Sequence, residues 1–211
     1  MDFFLSNSRY FLYLIFACII SSFLSACATQ IKPPITQSTA SSVSQQQHLA
    51  QLNAIKNFSL KGRLGVVTQK QGFSGSIDWQ HRSDTDDIEV YSPLGGKMAN
   101  IAKTATNVTL TTQDGKTITD TNAENLTETA LGFKLPLAGL SDWVLGKPTT
   151  SKIYANTWDD EGRLLTLKQD GWDIGYENYT DNNGIFLPGK VTLKSERVNL
   201  KLLIEKWTHV E

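Results

Sequence analysis

The chain predicts a mainly β protein, one curved antiparallel sheet or barrel of about nine to eleven strands, interrupted once by helix. Three observations carry this. Apolar and polar residues alternate from Phe58 to Val66 and again from Val198 to Glu205, the period-two mark of strands with one buried face. The pairs Asp114-Gly115, Asp170-Gly171 and Asn183-Gly184 are turn signals set between such runs. Helical spacing occupies the middle of the chain, not each gap between strands as a βαβ fold would need.

Taken in order, the chain opens with a nearly unbroken apolar run from Tyr10 to Leu24, shorter than the roughly 20 residues that span a bilayer as a helix. Leu24-Ser25-Ala26-Cys27 closes it and looks like a bacterial lipobox. It offers small side chains beside a scissile bond, then a thiol to receive diacylglycerol. Residues 1–26 are therefore expected to be a lipoprotein signal peptide, and Cys27 the lipidated N-terminus; the alternative is an uncleaved anchor. Ala28 stands where an Asp commonly marks inner-membrane retention, which points to the outer membrane. Residues 27–44 contain Pro33-Pro34 and are rich in Ser, Thr and Gln. They read as a flexible tether able to reach roughly 50 Å at about 3.3 Å per residue.

Residues 45–211 are the expected domain. Leu49, Leu52 and Ile55 suggest a short helix over Gln45–Lys56. Strands follow around Phe58–Val67, Phe73–Trp79 and Ile88–Tyr91, with Asp84, Asp86 and Asp87 as a polar turn, and then a hairpin about Asp114-Gly115. Asn122 or Thr121 can cap a helix carrying Leu126, Ala130, Leu131 and Phe133. A second helix fits Leu137–Leu145, stopped by Gly146 with Pro148 beyond. Strands resume over Arg163–Gln169, Trp172–Tyr179, Gly189–Lys194 and Arg197–Trp207.

Composition narrows the function. The 211 residues carry a formal charge of −1, without the basic excess that grips nucleic acid, so no nucleic-acid partner is expected. Of the two cysteines, Cys18 lies in the signal segment and Cys27 takes the lipid, leaving no disulfide and no thiol ligand. No G-x-S-x-G, H-E-x-x-H, P-loop or G-x-G-x-x-G is present. His48, His81 and His209 read as solvated surface residues, and Asp159-Asp160-Glu161 as a turn lacking calcium-loop spacing. No catalytic residue, metal site or cofactor is expected.

What remains is apolar bulk and one odd loop. Phe73, Trp79, Trp143, Trp172 and Trp207 fall where a strand or helix face would turn inward; they fit either a filled core or the wall of an apolar cavity. In Tyr91-Ser92-Pro93-Leu94-Gly95-Gly96-Lys97, Pro93 and Gly95 make a turn with Leu94 at its tip. One Leu entering a bilayer contributes about 1.5–3 kcal/mol, enough for reversible touching.

The strand segment Phe73-Ser74-Gly75-Ser76-Ile77-Asp78-Trp79-Gln80, the loop Ser92-Pro93-Leu94-Gly95 and the helix end Trp143-Val144-Leu145-Gly146-Lys147-Pro148 occur in that order behind a lipobox. Together with the closing strand through Trp207 they resemble the outer-membrane lipoprotein receptor family LolB over most of the mature chain. The resemblance implies an open (unclosed) antiparallel β-barrel with a helical lid over an apolar cavity, and an outward-projecting Leu94 that helps place cargo in the membrane. It implies as partners the periplasmic carrier LolA, acylated lipoprotein cargo and outer-membrane phospholipid, with the receptor acting as a monomer. Two other readings stay open. A lipid-anchored binding module would have the cavity but be indifferent to Leu94. A hydrolase would show a polar cleft with carboxylates of shifted pKa.

Overall fold

The computed structural model describes residues 39–211 apart from 132, 133 and 136; the signal segment and Cys27 lie outside the described residues. Helix α1 (Thr39–Ala54) leads into β1 (Asn57–Thr68), β2 (Gly72–Arg82), β3 (Thr85–Tyr91), β4 (Lys97–Lys103), β5 (Val108–Thr112) and β6 (Thr117–Asp120). Two helices follow, α2 (Ala123–Leu131) and α3 (Leu137–Val144). The second half is β7 (Ile153–Trp158), β8 (Leu164–Gln169), β9 (Trp172–Glu177), β10 (Thr180–Asn182), β11 (Ile185–Leu187), β12 (Lys190–Lys194) and β13 (Val198–Thr208).

Eleven of these strands form one antiparallel sheet in the order β6-β5-β4-β3-β2-β1-β13-β12-β9-β8-β7, while β10 and β11 make a separate hairpin. The sheet does not close, because β6 and β7 are its two edges. The first and last strands pair at its centre, Leu60 opposite Trp207 and Thr68 opposite Val198. The helical segment leaves one edge strand and enters the other, so it runs across the open side of the sheet.

The register defines two ends. The β1–β2, β3–β4, β5–β6, β8–β9 and β12–β13 turns share one end, here the rim. The C-terminus and α1 share the other, the base, where Lys56 and Asn57 donate backbone N–H groups to the Glu211 carbonyl at 2.6 and 3.0 Å. Alternation decides which residues face inward: Phe58, Leu60, Ile77, Trp79, Ile88, Ile101, Leu110, Ile174, Val191, Leu193 and Leu202 are buried in one contiguous core.

Several expectations need correction. Helix α1 begins at Thr39, inside the stretch read as tether, and ends at Ala54 rather than Lys56. In its second turn the Ser44–Gln45 backbone packs against Gly162, where φ is +77° and a side chain would collide. Asp86 is not part of a polar turn but sits within β3, 5% exposed. His48 is also buried, at 5%, edge-on to Tyr179 with ring centroids 6.4 Å apart, and His81 is half-buried against Asp86. Burial first, then the nearby Arg163 charge, lowers the His48 pKa. Of the three histidines only His209 is exposed.

The helices obey the expected signals. Asn122 caps α2, its Oδ1 accepting the Asn125 backbone N–H at 3.0 Å. At the other end of the segment, Gly146 (φ +82°) donates its N–H to the Trp143 carbonyl at 3.0 Å and Lys147 to that of Asp142 at 3.2 Å. That paired return is a Schellman stop for α3.

Candidate functional site

The inner faces of β1–β4, β12 and β13 meet the helical segment around a small apolar cavity of about 60 Å³. Leu64, Ile77, Trp79 and Val90 line it from the sheet, and Leu135 and Leu140 from the helical side. Almost no polar surface faces the space, which therefore stays dry and has no affinity for polar ligands. It is small beside pockets for organic ligands, which run from roughly 300 Å³. The interior is thus nearly filled, and a long alkyl chain enters only if the helices and the sheet part.

Two buried polar devices hold the wall and the lid. The Trp79 indole donates to Asp86 Oδ1 at 2.9 Å, and the same carboxylate takes His81 Nδ1 at 2.7 Å and Lys103 Nζ at 3.1 Å. Burial alone would raise the Asp86 pKa; the bonds from His81 and Trp79 and the Lys103 charge outweigh it and hold the carboxyl below its usual range. The charge therefore stays on and fixes Trp79 against the cavity. On the lid side, Gln169 is fully buried and uses all its bonding capacity. It accepts from the Trp143 indole at 2.9 Å and the Thr149 N–H at 3.0 Å, and donates to the carbonyls of Thr149 (3.3 Å) and Ser151 (2.9 Å).

The five rings singled out in the sequence separate here. Trp79 lines the cavity. Trp143 is fully buried but is the fastening between α3 and Gln169 rather than a lining residue. Trp172 is buried in the core at the rim, 5% exposed, beneath a surface groove that Lys134 and Arg197 also line. Trp207 packs edge-on to Phe58 at 5.6 Å between centroids and donates to the Pro188 carbonyl at 3.1 Å, near the base. Phe73 is half-buried at the rim, its ring over Gly75. Sequence reasoning missed the aliphatic residues that make most of the wall, and also Asp86 and Gln169. An Asp flanked by two others looks like a turn, and a Gln at a strand end looks like surface.

The β3–β4 loop stands at the rim. The Gly95 N–H donates to the Ser92 carbonyl at 2.9 Å and the Ser92 N–H to that of Gly96 at 2.8 Å, with Gly95 at φ +86°. Pro93 sets the first corner of this tight turn. Leu94 at its tip is 98% exposed, more than any other large apolar residue described.

An unclosed antiparallel β-barrel with helices across its open side and an apolar interior defines the class of fold. The model of the family "Outer membrane lipoprotein LolB" matches residues 56–207, and the chain belongs to that family. Among its relatives, an outer-membrane lipoprotein LolB of Pseudomonas savastanoi pv. phaseolicola is 30% identical over 184 residues, 87% of this chain and 90% of its own length. One of Nitrosomonas europaea is 36% identical over 152 residues, 71% and 72% of the two chains. A solved LolA superfamily protein of Nitrosomonas europaea shares the fold at 10% identity, with a TM-score of 0.52 covering 79% of this chain and 94% of that one.

Proposed function

We propose that the protein receives acylated lipoproteins at the outer membrane and passes their acyl chains from its apolar interior into the bilayer. The observation that carries this is the pairing of a dry alkyl-lined interior with a fully exposed leucine on the adjoining rim. Cys27 is the lipid anchor, the residues between it and helix α1 at Thr39 connect it to the domain, and Leu94, on a turn shaped by Pro93 and Gly95, is the group that enters the membrane. The donor is the soluble carrier LolA, the acceptor outer-membrane phospholipid, and the receptor works as a monomer.

The energetics explain why such a protein is needed. An acyl chain of about 16 carbons in water costs on the order of 12 kcal/mol, at about 0.8 kcal/mol per CH₂. Handing it directly between two apolar interiors avoids that state. No bond is made or broken, so direction comes from rising affinity along carrier, receptor and membrane.

The test is transfer of lipoprotein from loaded carrier to vesicles, using the domain without Cys27 and the same domain with Leu94→Glu. The first should take cargo and deliver it; the second should take cargo and deliver it poorly. A domain that takes no cargo removes the receptor reading, and equal delivery by both forms removes the role of Leu94.

A further inference from the structure

Resting on that reading, we infer that the acyl chains pass between cavity and bilayer along the inner faces of β1 and β2, over Gly75 and past the Phe73 ring, to the rim bearing Leu94. The inward row on these strands runs from the base as Leu60 opposite Trp79, Gly62 opposite Ile77, Leu64 opposite Gly75 and Val66 opposite Phe73. Burial falls along it. Leu60 and Trp79 are 0% and 2% exposed, whereas Leu64, Val66 and Phe73 are only half-buried, as is Val90 on β3. Leu64, Ile77 and Val90 line the cavity, so the half-open apolar strip is continuous with it.

Two other ways out are obstructed. The base is filled by Phe58, with ring centroids 5.3 Å from Trp79, 4.9 Å from His81 and 5.6 Å from Trp207, and beyond them by Leu52 and Ile55. At the β12–β13 side of the rim, Glu128 on α2 pairs with Arg197 at 3.4 Å and Lys134 at 3.6 Å above the buried Val198 and Trp172. An alkyl chain cannot compensate those ions for lost water.

Gly75 is the narrow point. A Cβ there would run into the Tyr91 carbonyl and lie 2.8 Å from Phe73 Cζ, so the absence of a side chain leaves room that the Phe73 ring now occupies. Phe73 is not among the residues packed on the buried core. A change of its rotamer clears the strip without disturbing the sheet, and such flips of partly exposed side chains take nanoseconds or less.

Strand alternation supplies the control. Val66 faces inward on the strip, and Val67, 57% exposed, faces outward beside it. The full-length lipidated protein, in phospholipid vesicles, is given a radiolabelled dipalmitoylated lipopeptide with a benzophenone side chain at position 66 or 67. Light should attach the label at 66 and not at 67. In parallel, Val66→Glu should slow release of the lipopeptide to acceptor vesicles at least about tenfold, since an acyl chain must pass an unpaired carboxylate, and Val67→Glu should not. If the wild-type protein captures no lipopeptide, the receptor reading fails and the route with it. If it captures and releases, but the label attaches at neither position or at both, the route alone is overturned.

Discussion

Replacing Gln169 with Leu removes the acceptor and donors that tie α3 and the chain after it to β8. The Trp143 indole N–H is fully buried and bonds to Gln169, so leaving it unpaired costs about 1–3 kcal/mol. Thr149 is half-buried and Ser151 exposed, so water can take over their backbone groups in part, adding about 1 kcal/mol together. The expected loss is therefore about 2–4 kcal/mol. Urea unfolding followed by tryptophan fluorescence reads it as a lower midpoint at unchanged slope. Combining Gln169→Leu with Trp143→Phe removes the stranded donor, so the double variant should be more stable than the sum of the singles predicts, by about 1–2 kcal/mol. A loss under about 1 kcal/mol, or strict additivity, would refute the view that this side chain fastens the lid.

Further outcomes follow from the same geometry. Gly146→Ala should lower stability by about 1–3 kcal/mol in thermal melts, because Ala is strained at φ +82° and its Cβ would lie 2.9 Å from the Tyr179 hydroxyl. Leu94→Glu, at a fully exposed position, should leave the melting curve unchanged within about 0.5 kcal/mol, separating its effect on delivery from any on folding. Tyr176→Phe should be neutral or stabilising by up to about 1 kcal/mol, since the buried Tyr176 hydroxyl has no hydrogen-bond partner. Asp86 titrates lower in the folded than in the unfolded chain, so its stabilisation is complete above about pH 4 and is lost as pH falls through the folded value. The stability gap between wild type and Asp86→Asn should therefore shrink on acidification; a gap that grows below that point would contradict the assignment.

How far the sequence exposes this molecule depends on what each signal reports. Alternation in β1 and β13 is local and reads correctly, as do the Asn122 cap and the Gly146 stop, because the residues that set them are adjacent in the chain. The place of Leu94 at a turn tip is legible for the same reason, since Pro93 and Gly95 adjoin it, whereas its exposure is read from the structure. The cavity is different. Its wall is assembled from strands as distant as β1 and β13, and alternation says only which face a ring takes, not whether the space beside it is filled. Trp172 and Trp207 face inward yet end at the rim and near the base, because height along the strand depends on register. Asp86 was hidden by its acidic neighbours, since only the register that brings Trp79, His81 and Lys103 around it reveals why it is buried.

The lid's two attachments, to β6 on one side and β7 on the other, bear on how the interior changes size. In a closed barrel the circumference is set by strand number and stagger, and widening it means breaking a ladder of main-chain bonds. Here no ladder joins β6 to β7, so the girth behaves like a belt whose buckle is the helical segment. Letting it out by several ångströms sacrifices side-chain contacts and the Gln169 fastening, but no strand pairing. On the proposed function, that freedom is what would let a nearly solid interior take up alkyl chains of different number and length and close again when they leave.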